Sequence, residues 1–133
     1  MGESTFALRL KPGDDLKDGI QQFVNANSIR AGWIVGCVGS LTEYHLRFAN
    51  QEQGLEGSGH FEIVSLTGTL SVNGCHLHAS ISDGYGHTIG GHLLSGCKVY
   101  TTAEIILTAT DKYIFMREHD DTTGWKELKI EEP

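Results

Sequence analysis

Four of the chain's seven histidines fall within CHLHASISDGYGHTIGGHL, residues 75–93. If HLHASIS is a strand, His76 and His78 project from one face, with Cα atoms roughly 6.5–7 Å apart, so both imidazoles can converge on one ion. A third ligand must come from elsewhere in the chain. His92, just beyond Gly90-Gly91, is the natural candidate, because a strand, a turn and a return strand bring it opposite the pair. Three neutral imidazoles suit Zn²⁺ or another divalent transition metal at about 2.0–2.1 Å, and they leave a fourth position for water or a substrate oxygen. The competing reading is solvated or hydrogen-bonded histidine on a polar strand face. His87 sits inside the Gly-rich turn and reads as exposed; His45, His60 and His119 are isolated.

Other chemistry is less strongly marked. Ser80, Ser82 and Asp83 lie near the histidines, but no GxSxG elbow marks an activated serine. Asp83 and Glu104 are the two carboxylates that can serve such a site as proton acceptors, and Glu104 can alternatively orient a ligand imidazole; its competing reading is the outward residue of an alternating strand. Cys37, Cys75 and Cys97 are odd in number and widely spaced, without CxxC, and read as buried free thiols. Cys75 adjoins His76, so in a strand it faces the other way and is set aside as a ligand. Trp33 and Trp125 read as packing residues. HDDTTGW reads as a turn between the last two strands, without the ligand density of a calcium loop.

Elements must position these groups. Phe6, Leu8 and Leu10 alternate with Ala7 and Arg9, the period of a half-buried strand over residues 4–10, and Pro12-Gly13 stops it. Asp14 or Asp15 can cap a helix running from Asp15 to Ser28, with Leu16, Ile20, Phe23 and Val24 on one face. From Gly32 onward seven runs are β-rich: GWIVGCVGSL, EYHLRFA, HFEIVSLTGTLS, HLHASISD, VYTTAEIILTA, KYIFMRE and WKELKI. Residues 50–59, NQEQGLEGSG, hold three glycines and read as a surface loop. The pattern predicts one α+β domain over residues 1–133, with a large, curved antiparallel sheet and one main helix.

Composition narrows the function classes. The 133 residues carry ten Lys+Arg against seventeen Asp+Glu, a net charge of −7 that opposes binding to a phosphate backbone. No apolar stretch approaches the ~20 residues of a membrane span, and MGESTFALRL lacks the apolar core of a secretion signal. A cytoplasmic or nuclear location is the expectation. Met1-Gly2 is a partial myristoylation start only, since Phe6 stands where Ser or Thr is wanted.

The segments ALRLKPGDDLKDGIQQF, AGWIVGCVGSL and GHFEIVSLTGTLS, then HLHASISD, GGHL and VYTTAEIIL, together resemble the PPC or PCC domain (plants and prokaryotes conserved domain, also called DUF296). The resemblance covers nearly the whole chain. It implies an α+β fold with a major antiparallel sheet of about seven strands, flanked by the main helix and short helices, and assembly as a homotrimer. It also implies a metal ion, zinc above others, on the histidines matching His76, His78 and His92. In plant members the domain follows an AT-hook, Arg-Gly-Arg-Pro, that supplies much of the DNA contact. This sequence contains no such motif, so DNA binding is not carried over.

Several functions stay open on these grounds. One is a homotrimeric zinc-binding domain open to a small anionic or carbonyl ligand, or acting on it with Glu104 or Asp83 as proton acceptor. Another is a protein-interaction scaffold. A third is a DNA-associated regulator drawing on Arg9, Lys11, Arg30, Arg47 and Lys98. A cupin also carries His-x-His and a later His, but its usual Glu after the second His is missing here, and the early helix fits it poorly.

Overall fold

The structure, a computed structural model, describes residues 2–133. Its elements in chain order are β1 (Glu3–Leu10), α1 (Leu16–Ala26), β2 (Gly32–Arg47), β3 (Leu55–Leu70), β4 (His76–Ser82), β5 (Thr88–Leu93), β6 (Lys98–Thr110), β7 (Ile114–His119) and β8 (Lys126–Glu131). The first six strands form one antiparallel sheet in the order β1-β6-β2-β3-β4-β5, and β7 with β8 forms a separate two-stranded sheet. The large curved antiparallel sheet and single main helix are as the pattern predicts. The strand count differs: six strands in the main sheet and two in the small one, with α1 the one helix among the described residues.

α1 forms where the periodicity places it. The Asp15 carboxylate caps it by accepting from the Asp18 amide at 3.0 Å, and Ser28 in a left-handed conformation (φ 52°) follows its end. Leu16, Ile20 and Val24 are fully buried against the sheet, each contributing roughly 1.5–3 kcal/mol. They join Leu41, Leu46, Leu70, Leu77, Ile81, Leu93, Ile105 and Leu107 in one core.

Two expectations are corrected by β2 and β3. GWIVGCVGSL and EYHLRFA are not separate strands but one strand of 16 residues. The residue between them, Thr42, sits at a register shift between Leu41 and Glu43, one of several bulges that bend β2 without ending it. Half of the expected 50–59 loop is also strand, because β3 begins at Leu55. Gly57 pairs with Tyr44, and a Cβ on it would collide with the Tyr44 ring. That glycine serves close approach rather than a turn.

The length and bend of β2 close the sheet on itself. Its first part lies between β6 and β3, while its last residues also pair with β5, Leu46 with Leu93 and Arg47 with His92. The sixth strand of the sheet thereby meets the third. The β7–β8 hairpin is tied to the β3–β4 turn, where the Ser71 hydroxyl and the Asn73 side-chain amide both donate to the Phe115 carbonyl, at 2.9 and 3.1 Å.

Candidate metal centre

β4 alternates as a half-buried strand should: Leu77, Ala79 and Ile81 point into the core, and His76 and His78 point the other way. The turn over residues 83–87 then returns the chain as β5, where His92 is the cross-strand partner of His78. Gly90 and Gly91 permit this pairing. A Cβ on Gly91 would stand 2.7 Å from the Arg47 carbonyl oxygen, so a larger residue would push β5 off β2.

The three imidazoles come together as the sequence pattern anticipates. One ligand nitrogen from each of His76, His78 and His92 lies within 4.8 Å of the other two. Ring centroids are 5.0 Å apart for His76 and His78, 5.1 Å for His76 and His92, and 5.8 Å for His78 and His92. A tetrahedral zinc with bonds near 2.05 Å needs nitrogens about 3.3 Å apart, a closure that small rotations of exposed or half-buried rings supply. The donor set therefore fits a divalent transition ion with an open position.

The electrostatics favour the neutral ring at His76 and His92. His92 is pushed down to about 4, first by burial, then by the Arg47 guanidinium and by His76. His76 is lowered by burial, then by Arg117 and His78, with Glu127 opposing. Neutral imidazole is the form that ligates. Burial raises the Cys75 thiol, whose Sγ lies 3.9 Å from the Ser71 carbonyl, so it stays protonated and outside the cluster.

The other sequence candidates fall elsewhere. Asp83 folds into the β4–β5 turn, where its carboxylate accepts from the amides of Tyr85 and His87 and faces the exposed His87 ring at 3.6 Å. Glu104 is exposed on β6 and accepts from the Thr102 hydroxyl at 3.3 Å. Neither lines the histidine cleft. His45 is bonded to the Ser95 carbonyl, His60 packs on Tyr100, and His119 pairs with Asp121. Cys97 is buried, as expected of all three thiols, but Cys37 and Cys75 are only half-buried.

Around the histidines lies a cleft of about 770 Å³, in the range of small-molecule sites. Sequence reasoning missed most of its walls. Arg47 and Phe48 enter from the end of β2, and Arg117, Trp125, Lys126 and Glu127 from the β7–β8 hairpin. Trp125 corrects the expectation of a packing residue: it is 47% exposed, with the Arg47 guanidinium 4.6 Å from its ring centroid. The one signal in the sequence was a tryptophan beside Gly124 in a polar hairpin turn.

Residues 1–111 match the Plants and Prokaryotes Conserved (PCC) domain. The chain belongs to that family. The match ends before the β7–β8 hairpin, so the family's shared segment carries the histidines while Arg117 and Trp125 lie beyond it. Among relatives of this PCC chain, the Bifunctional protein GlmU of Synechococcus sp. (strain JA-3-3Ab) is 44% identical over 126 residues. Those residues make up 95% of this chain and 20% of that protein, so the chain spans about a fifth of the curated relative's length. A solved structure of a hypothetical protein from Salmonella enterica superposes with a TM-score of 0.94 at 42% identity, covering 98% of this chain and 94% of that one. A metal-containing protein from Archaeoglobus fulgidus superposes with a TM-score of 0.82 at 27% identity, covering 95% and 93%.

Proposed function

We propose that this PCC protein binds one divalent transition ion, zinc, through His76, His78 and His92, and presents it in an open cleft to a small anionic ligand. The observation that carries the reading is the convergence of three potential ligand nitrogens within 4.8 Å in the lining of a cleft. The metal content of the Archaeoglobus relative supports it. Three nitrogen donors and a remaining position suit zinc as a Lewis acid, which polarises an oxygen ligand or acidifies a bound water. The chain's own part is to hold the imidazoles on paired strands and to wall the site with Arg47 and the β7–β8 hairpin.

The working unit we propose is the homotrimer. Val35 and Val38 on β2, Val64 on β3 and Ile106 on β6 are exposed on adjacent strands of the main sheet, apolar surface that a second copy would cover.

Elemental analysis of protein purified without chelators or nickel resin tests the metal. About one equivalent of zinc per chain is expected, and less than about 0.2 equivalents of any transition metal would overturn the reading. A DNA-facing role has less support. Of the basic residues it would draw on, Arg9 is bonded to Thr102, Lys98 faces Asp15 at 3.9 Å, and Arg47 stacks on Trp125.

A further inference from the structure

The histidines make up only part of the cleft's lining, and much of the rest is cationic and aromatic. Arg47 faces His92 across the β2–β5 pair, so the two side chains leave neighbouring strands at a Cβ spacing of roughly 4.5–5.5 Å. The Arg47 guanidinium reaches Trp125 of the hairpin and lies against its ring. Among the described residues, no carboxylate forms an ion pair with Arg47 or Arg117. The chain carries seventeen acidic side chains against ten basic ones, so unpaired guanidiniums do not reflect a shortage of partners. Three cations, Arg47, Arg117 and Lys126, line this cleft with one carboxylate, Glu127.

Arg117 links the histidines to the hairpin. Its Nη2 donates to the Lys126 carbonyl at 2.6 Å and approaches His76 Nδ1 at 3.4 Å. If His76 ligates through Nδ1, that lone pair goes to the ion; if it ligates through Nε2, the neutral ring carries its proton on Nδ1. Either way the second Nη2 hydrogen loses its acceptor. Loading the metal thus leaves an Arg117 N–H, as well as the Arg47 fork, in want of an anion.

We infer that the cleft takes a small organic carboxylate, its oxygens held by the Arg47 guanidinium beside the ion and its carbon skeleton laid against Trp125 and Phe48. A guanidinium fork matches carboxylate and phosphate alike. Two features select the carboxylate: Glu127 in the wall opposes a dianion, and the aromatic surfaces suit a carbon chain that inorganic phosphate lacks. This inference rests on the three-histidine metal reading and names the ligand class of that site. Arg47 and Trp125 become its specificity-determining residues, with Trp125 and Arg117 supplied from outside the segment that matches the family.

The test uses the full chain loaded with Co²⁺, whose visible spectrum reports changes in coordination, titrated with lactate, propionate, lactamide and inorganic phosphate. Lactate and propionate are expected to perturb the spectrum at lower concentration than phosphate, and lactamide not at all. Arg47→Gln should weaken lactate binding by about tenfold or more in a protein that still takes up one equivalent of cobalt. Arg47→Lys, which keeps the charge but not the fork, and Trp125→Leu should each weaken it several-fold, and they carry the test if Arg47→Gln fails to fold. Tighter binding of phosphate than of lactate, equal binding of lactamide, or an Arg47→Gln variant that binds lactate normally would overturn the inference. A chain that takes up cobalt but responds to no carboxylate overturns this inference alone; a chain that takes up no cobalt overturns the metal reading beneath it.

Discussion

Arg47 and His92 stand directly opposite one another where the third strand of the main sheet meets the sixth. One pairing thereby closes the sheet and sets a guanidinium beside an imidazole that the β4–β5 hairpin brings to His76 and His78. The following predictions depend on that arrangement.

His78 is exposed and contributes nothing to the core. His78→Ala should leave the melting temperature of the metal-free protein nearly unchanged and reduce bound zinc from about one equivalent to below about 0.2. Unfolding of this variant in calorimetry would make the ion a structural staple instead of an open centre.

The depressed imidazoles set a pH dependence. Histidines of the unfolded chain titrate near 6.5, whereas folded His92 resists protonation until about 4, and His76 is lowered too. Between these values the unfolded state binds more protons, so stability rises with pH. The metal-free protein should be at full stability above pH 6.5 and lose it as pH falls toward 4. Urea midpoints at pH 7, 5.5 and 4.5 should decline in that order.

At Gly91, β5 leaves no room for a Cβ beside the Arg47 carbonyl of β2. Gly91→Val should destabilise the fold by about 1–3 kcal/mol and move His92 away from its partners. Denaturant unfolding together with zinc titration checks both effects. Loss of stability with normal zinc affinity would show that the centre does not need this closure.

Val38 and Val64 are 68% and 58% exposed on neighbouring strands. Light scattering should give three times the chain mass for the native protein and one chain mass for a Val38→Asp, Val64→Asp double variant. A monomeric native chain would count against the homotrimer.

Duplex DNA should not bind at physiological salt, given a net charge of −7 and basic residues engaged separately. An electrophoretic shift at nanomolar protein that weakens steeply with added salt would restore the DNA-facing reading.

The local parts were legible in the sequence. Alternation in HLHASISD placed His76 and His78 on one face, because a strand's side chains repeat every two residues, and the helix face of Leu16, Ile20 and Val24 followed from a period of 3.6. Asp14-Asp15 marked the helix start because a short carboxylate can satisfy an unpaired amide, and the structure assigns that cap to Asp15. His92 was reachable by the same local logic, since a hairpin of strand, turn and strand needs no distant information. Thr42 and Gly57 were misread because a bulge and a glycine under an aromatic ring carry the same residue signals as a turn.

What pairs with what across the chain was decided by tertiary structure alone. Nothing near residue 47 in the sequence points to residue 92 or 125, and the meeting of Arg47, His92 and Trp125 depends on the bend of β2 and on the docking of a hairpin onto the β3–β4 turn. Those contacts depend on the packing of the whole core, whose residues are drawn from every strand of the main sheet and the helix. The sequence by itself determined which three imidazoles converge, since a strand's two-residue repeat and a hairpin are local. The tertiary structure determined their surroundings, because a cleft is bounded by residues that only the closed sheet brings together.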